Sequence, residues 1–352
     1  MMDRFRIKRL NSGGLITNYH CPSRCGHCLY NCSPSRSTDY IDPDTAEAVF
    51  RAVRAMGCGS MHIGGGEPLL HPEGLSRVLE RMTRTGMGLD YVETNASWFR
   101  DEESAAAMLR DLREQGLHTV LLSISPFHNE RIPADRIGGA LEAAKQAGVG
   151  VIPWVADFWR DLAEFDRERP HSLREYRERF GEDYPLRILR RYWIHFGGRA
   201  LETFRPYLPG KSTEEILADK PGCSRELLST GHFHIDLYGS YIPGLCSGLA
   251  IDMRDLGHPL PQWKYPLLTA LFQNGVAGLM DLAERDWDYA PRKTAYLNAC
   301  DLCTDIRACL VQSGYSDSNE LRPVEFYAHK NMTVYPEGVR SKPDTLCAIR
   351  QD

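Results

Sequence analysis

The strongest constraint on the fold is a repeat of helix and strand patterns punctuated by glycine. Gly57, Gly86, Gly116 and Gly148 each close a helix pattern, and they recur about every 30 residues, the length of one strand–helix unit. The first pattern opens at Asp42-Pro43, a capping residue followed by proline at the first helical position. The second starts at Pro72 and the fourth at Ala134. The third opens on Asp101-Glu102-Glu103, whose charges suit the positive end of a helix dipole. Short strand-like runs follow the glycines at 61–63, 91–94, 119–123 and 149–155. A run at 14–19 reads as the first strand, and Tyr-Trp-Ile-His-Phe at 192–196 as the sixth. Strands alternating with helices at this period imply a parallel sheet, so the chain is an α/β protein.

In α/β barrels the chemistry gathers at the carboxyl ends of the strands. Here Cys21-Pro-Ser-Arg-Cys25-Gly-His-Cys28 follows the first strand and Gly64-Gly65-Gly66-Glu67-Pro68 the second. Thr94-Asn95 ends the third strand, and Ser123 and Ser125 end the fourth. The reactive residue types therefore fall on one rim.

Cys21, Cys25 and Cys28 can wrap a metal centre from a single loop, and three thiolates are one short of a closed four-ligand site. The spacing reads as the cradle of an iron–sulfur cluster with one iron open to an outside ligand. A zinc site built from these thiols and an added ligand is the competing reading. Cys32 would close the site if it ligated, so it is expected to be a loop or core thiol. Cys58 and His62 are expected in the core.

The chain has 352 residues and eleven cysteines, with none between Cys58 and Cys223. That gap divides them into two metal-binding regions. No signal-peptide pattern is seen, and in a reducing compartment clustered cysteines bind metal more often than they pair. A net charge of −5 gives no reason to expect a nucleic-acid or membrane partner. No run is long and apolar enough to span a bilayer, so a cytoplasmic location is expected. The densely charged 160–190 stretch reads as a solvated helix pair, with a lid over the substrate as the alternative. Pro206, Pro209, Gly210, Pro221 and Gly222 make 206–222 turn-rich, which sets a boundary between domains at 1–205 and 206–352. Beyond it, 233–238 alternates like a strand and meets a turn at Gly239-Ser240.

The ordered pair of motifs, three cysteines after strand one and Gly-Gly-Glu-Pro after strand two, resembles the radical S-adenosylmethionine (SAM) enzymes. The resemblance implies a partial (β/α)6 TIM-type barrel over about 1–205 with a smaller C-terminal iron–sulfur domain. It implies a [4Fe–4S] cluster on Cys21, Cys25 and Cys28 whose fourth iron binds SAM, and a reductase, flavodoxin or ferredoxin as electron donor. By the same resemblance Gly65 and Gly66 let the backbone approach the methionine part of SAM, and Glu67 accepts from its ammonium. Thr94, Asn95, Ser123 and Ser125 lie where the family contacts ribose and carboxylate, and His27 beside the adenine. Ser125-Pro-Phe-His128 and Gly197-Gly-Arg199-Ala also match family segments. Arg199 would reach the SAM carboxylate or the substrate, unless it forms a salt bridge on the rim.

Cys300-x2-Cys303-x5-Cys309, with Cys347 beyond and Cys223 and Cys246 upstream, resembles the SPASM/twitch extensions that carry auxiliary [4Fe–4S] clusters. The match is incomplete, because Ser313 stands where a full SPASM pattern has cysteine. Cys300, Cys303, Cys309 and Cys347 form one possible ligand set, and Cys223, Cys246, Cys300 and Cys303 the other. The first keeps the C-x2-C-x5-C unit whole and is the expectation here. It leaves Cys223 and Cys246 vestigial, or paired with His232 or His234 in a partial cluster. A structural zinc knot is the plainer alternative. The resemblance points to an enzyme that modifies a peptide. The alternatives are a dehydrogenase or cofactor-biosynthesis enzyme on a small molecule, and a non-catalytic iron–sulfur or zinc protein.

Overall fold

A computed structural model describes residues 5–315 and 318–328. Its centre is one open, mostly parallel sheet of eight strands in the order β5-β4-β3-β2-β1-β6-β7-β8. The first five strands are β1 (Gly13–Ile16), β2 (Ser60–Gly64), β3 (Gly88–Thr94), β4 (Thr119–Ser123) and β5 (Gly150–Trp154), all parallel. On the other side of β1 lies β6 (Phe233–Asp236), also parallel, followed by the antiparallel β7 (Ser240–Ile242) and β8 (Ile251–Asp252).

The glycine-punctuated helices form where the local chemistry places them. The Asp42 side chain accepts from the backbone N–H of Asp44 and Thr45 and starts the helix Pro43–Ala55. Asp101 caps Glu102–Glu114 through the N–H of Ser104. Pro72–Thr85 and Ala134–Ala147 end on Gly86 and Gly148 in left-handed conformation, where a side chain would be strained. The buried stripes of these helices join Met61, Ile63, Val92 and Val120 in one apolar core. Because strand side chains alternate, His62, Gly64, Tyr91 and Glu93 face the opposite side of the sheet.

Two expectations change. Residues 192–196 are not a strand. Their aromatic composition imitates one, yet they join no strand ladder and leave Trp193 71% exposed. The backbone that follows is tied instead to the cysteine loop, where Arg199 N donates to Cys28 O at 3.1 Å. The sheet therefore keeps six parallel strands, and the sixth is β6 on the far side of β1 in place of 192–196. Although β6, β7 and β8 lie beyond the 206–222 stretch, they extend the same sheet.

The 160–190 stretch is more than a solvated pair. Its helices Leu173–Phe180 and Tyr184–Arg191 place Tyr176 and Tyr184 in a second apolar core with Cys25, Ala96, Ile124 and Phe127. Tyr176, Phe180 and Tyr184 recur every fourth residue and their rings pack on one another. Among the described residues, no helix is long and apolar enough to cross a membrane.

Candidate active site

At the carboxyl ends of β1 to β4 the rim closes around a cavity of about 120 Å³ that opens to solvent. Its wall contains Cys21, Cys25, Cys28, His27, Gly65, Gly66, Thr94, Asn95, Ser123 and Arg199. The sequence motifs thus converge in space. Cys32, Ser23, Glu93 and His128 complete much of the remaining wall.

The cysteine loop is held from three directions. From the β2 loop, Gly66 N donates to Asn18 O at 2.7 Å and Glu67 N to His20 O at 3.1 Å. From the end of β3, the Asn95 side-chain amide donates to Cys21 Sγ at 3.3 Å. From the far side, Arg199 Nε donates to Cys25 O and its Nη2 to Cys32 O. Arg199 is a buried clamp on the loop, not a surface ion pair. Its remaining nitrogen, Nη1, is buried without a partner, as is His27 Nδ1. An unpaired guanidinium N–H beside three thiols fits an anionic occupant such as a thiolate-bound cluster or a carboxylate. Ser23 Oγ lies 3.1 Å from Cys25 Sγ, and contacts of this kind adjust the potential of a ligated sulfur.

Burial dominates the electrostatics. It pushes the Cys25 thiol up to about 12 and the Cys21 thiol above its ordinary value. It lowers His128 to about 4 and His27 well below the usual imidazole range, so both rings are neutral. His27 packs its ring against Phe127 at 4.8 Å and His128 at 5.0 Å.

Some expected contacts are placed elsewhere. Glu67 is fully buried behind the wall. Its carboxylate accepts from Leu69 N, Thr94 Oγ1 and Asn95 N, so it fastens the β2 loop to the end of β3 and has no free oxygen pointing at an ammonium. Gly65 and Gly66 are required by the chain itself, since a Cβ on Gly66 would lie 1.9 Å from His20 O. Ser123 lines the cavity, whereas Ser125 caps the short turn Pro126–Asn129 and bonds His128 Nδ1 at 2.7 Å.

The late cysteines regroup. Cys300, Cys303 and Cys309 share the helix Ala299–Gln312. At 3.6 residues per turn, Cys309 lies about half a turn round from Cys300 and faces away. Cys347 lies outside the described residues. The thiols of Cys223 and Cys246 are raised by burial and then by Cys300 and Cys303, which places these four together. Cys223, Cys246, Cys300 and Cys303 thus lie close enough to act on one another, whereas Cys309 of the expected set lies on the other side of the helix. The fully buried Arg307 donates to Cys303 O and to Ser247 O, the carbonyl after Cys246.

Sequence reasoning missed Glu93 and Arg307. The signal for Glu93 was an acid inside a buried strand pattern, on the same face as His62. Arg307 carried no signal, because a helical arginine is ordinarily solvated and only the packed structure shows its carbonyl partners.

Residues 15–156 match the family model described as the radical SAM superfamily. No curated protein matches the sequence. Among solved structures, the chain is similar to anSMEcpe with bound AdoMet at 14% identity and a TM-score of 0.43, covering 84% of this chain and 92% of that one. It is also similar to SuiB of Streptococcus suis bound to S-adenosylmethionine, at 16% identity and a TM-score of 0.37, over 68% of this chain and 61% of that one. Methylornithine synthase PylB aligns at 18% identity and a TM-score of 0.29, over 42% of this chain and 44% of that one.

Proposed function

We propose that this chain, an enzyme of the radical SAM superfamily, modifies a peptide and carries two iron–sulfur centres on separate sets of cysteines. Cys21, Cys25 and Cys28 would hold the first centre and SAM, in the cavity they line. When bound, the pair supplies a low-potential electron and, by cleavage of the sulfonium, a carbon radical able to abstract hydrogen from an unactivated C–H bond. Arg199 and Asn95 hold the loop and one of its sulfurs in place. Ser123 and the Gly65–Gly66 backbone offer polar groups on the cavity wall, whereas the Thr94 hydroxyl is taken up by Glu67, Ala96 N and Trp98 Nε1. Neutral His27 and His128, with Phe127 beside them, keep that side of the cavity apolar enough to exclude water.

The observation that carries the peptide reading is the grouping of Cys223, Cys246, Cys300 and Cys303 around buried Arg307. Four thiols close a cluster completely, and the neighbouring cation offsets its negative charge. An auxiliary centre of this kind can bind a substrate atom or remove an electron from the product, as thioether or carbon–carbon crosslinking requires.

The test is anaerobic. Reconstituted protein with SAM and dithionite should form 5′-deoxyadenosine, and Cys25→Ala should not. With short peptides encoded beside the gene, formation should become coupled to loss of two hydrogens from the peptide. Turnover of a small alcohol with no change in peptide mass would favour the dehydrogenase reading. Absence of 5′-deoxyadenosine would leave a non-catalytic metal protein.

A further inference from the structure

On the face of the sheet opposite the helix-packed core, three imidazoles converge. His62 of β2 and His234 of β6 both pair with Gly14 of β1, one from each side. Their Nε2 atoms are 3.1 Å apart. His232, just before β6, stacks on His62 with ring centres 5.3 Å apart. One ring nitrogen from each of the three lies within 4.8 Å of the others.

The surroundings are built to this cluster. A Cβ on Gly14 would lie 2.1 Å from His62 Nε2, so the strand between the two histidines carries no side chain where the rings meet. Opposite His62 the pairing with β3 is irregular: Met61 pairs Leu89 but Ile63 pairs Val92, which gives β3 one extra residue. Such bulges re-aim side chains, and here Tyr91 stacks on the His62 ring at 5.2 Å. Tyr30 OH lies 2.8 Å from His234 Nδ1. If Nδ1 carries the proton and donates it to Tyr30, the Nε2 lone pair is left free to ligate, the arrangement that orients metal-binding histidines. Glu93 Oε1 stands 3.8 Å from His62 Nε2, and Glu93 also lines the cavity of the cysteine loop. Barrel interiors are ordinarily filled by branched apolar side chains, and imidazoles with a carboxylate in that place are a ligand set.

We propose that His62, His232 and His234 form a mononuclear site for a divalent transition-metal ion of the imidazole-preferring class, such as Zn²⁺, with its fourth position open on the side of Glu93 and the cavity. Three histidines with a further position in reach is the donor set of catalytic rather than closed structural zinc. The ion would sit one carboxylate away from the cavity, where it can hold a donor group of the substrate. The site shares no residue with either cysteine set, so it stands independently of the peptide reading.

Co²⁺ is the probe, added to the reconstituted protein with its [4Fe–4S] centres oxidised and silent in electron paramagnetic resonance. A high-spin Co²⁺ signal with nitrogen couplings should saturate at one ion per chain. His232→Ala removes an exposed ring, so the fold is kept, and it should weaken binding at least about tenfold, with Tyr30→Phe weakening it about tenfold through the lost orienting bond. His62→Gln should abolish the signal, and iron content should be unchanged in all three. No saturable signal, or one that persists equally in His232→Ala and His62→Gln, would overturn the site and leave a hydrogen-bonded ring stack.

Discussion

Arg199 clamps the cysteine loop from 174 residues away in sequence, its Nε donating to the carbonyl of Cys25 at 2.9 Å. Its Nη2 reaches the carbonyl of Cys32 at 2.6 Å, so one guanidinium spans the loop that carries the three thiols. Arg307 does the same for the late cysteines, through the carbonyls of Cys303 and Ser247. Lysine cannot reproduce a two-pronged contact. Arg199→Lys should therefore cost about 2 kcal/mol or more, since hydrogen bonds to charged groups are worth about 1.5–3 kcal/mol. Hydrogen exchange over residues 21–32 should rise, and iron retained after reconstitution should fall. Unchanged exchange in that loop would show that the clamp is not what orders it.

Iron counting separates the two late cysteine sets. The wild type should hold about eight irons per chain, and Cys223→Ser or Cys303→Ala about four. Cys309→Ser should stay at about eight, because Cys309 faces the other side of its helix. Loss of iron in Cys309→Ser but not in Cys223→Ser would restore the set that includes Cys347.

Gly66→Ala should disrupt the site through the backbone. The new Cβ would press on His20 O, an atom that cannot move without displacing Cys21. Overpacking of this kind costs about 1–3 kcal/mol, and more where the obstacle is main chain. A lowered melting temperature with poor iron incorporation is the expected outcome. A variant as stable as the wild type would show that the loop relaxes freely.

Cys32 is buried in the cavity wall, and contact with its thiol is the largest influence lowering Cys28. The three-thiol reading nonetheless leaves it outside the ligand set. Cys32→Ala should keep the iron of the first cluster and still form 5′-deoxyadenosine. Loss of both activities together would make Cys32 part of a closed site.

Stability should fall with rising pH through one buried acid. Glu320 accepts from Leu267 N and Leu268 N at the start of the helix Pro266–Trp287, and burial pushes its carboxyl from 4.5 up to about 7. Between these values the folded protein holds a proton that the unfolded chain releases. The stabilisation is therefore full below 4.5 and lost as pH rises to about 7. The difference in unfolding free energy between wild type and Glu320→Gln should change by about 3 kcal/mol across that window. A pH-independent difference would show that the carboxyl is ionised throughout.

Much of the fold was legible because its signals are local. Proline and acids at helix starts, glycine at helix ends and apolar runs of strand length put five strands and four helices close to their observed positions. The sixth strand failed for the same reason: aromatic residues at 192–196 have strand propensity, but propensity does not say whether a neighbour is there to pair with. The sheet found its next parallel strand at 233–236, beside β1, where Gly13 leaves room for Phe233.

The sequence by itself determined which residue types gather at the first site. Three thiols in one loop, followed by a Gly-Gly-Glu-Pro turn, share local spacing that survives whatever the rest of the chain does. Only the tertiary structure decided which late cysteines meet, that Glu67 and Arg199 are fasteners, and that His62 faces His234. Those relationships join residues from 23 to more than 170 positions apart. Spacing carries no information about such contacts, because they are set by which strand pairs with which and by the side of a helix that packing buries.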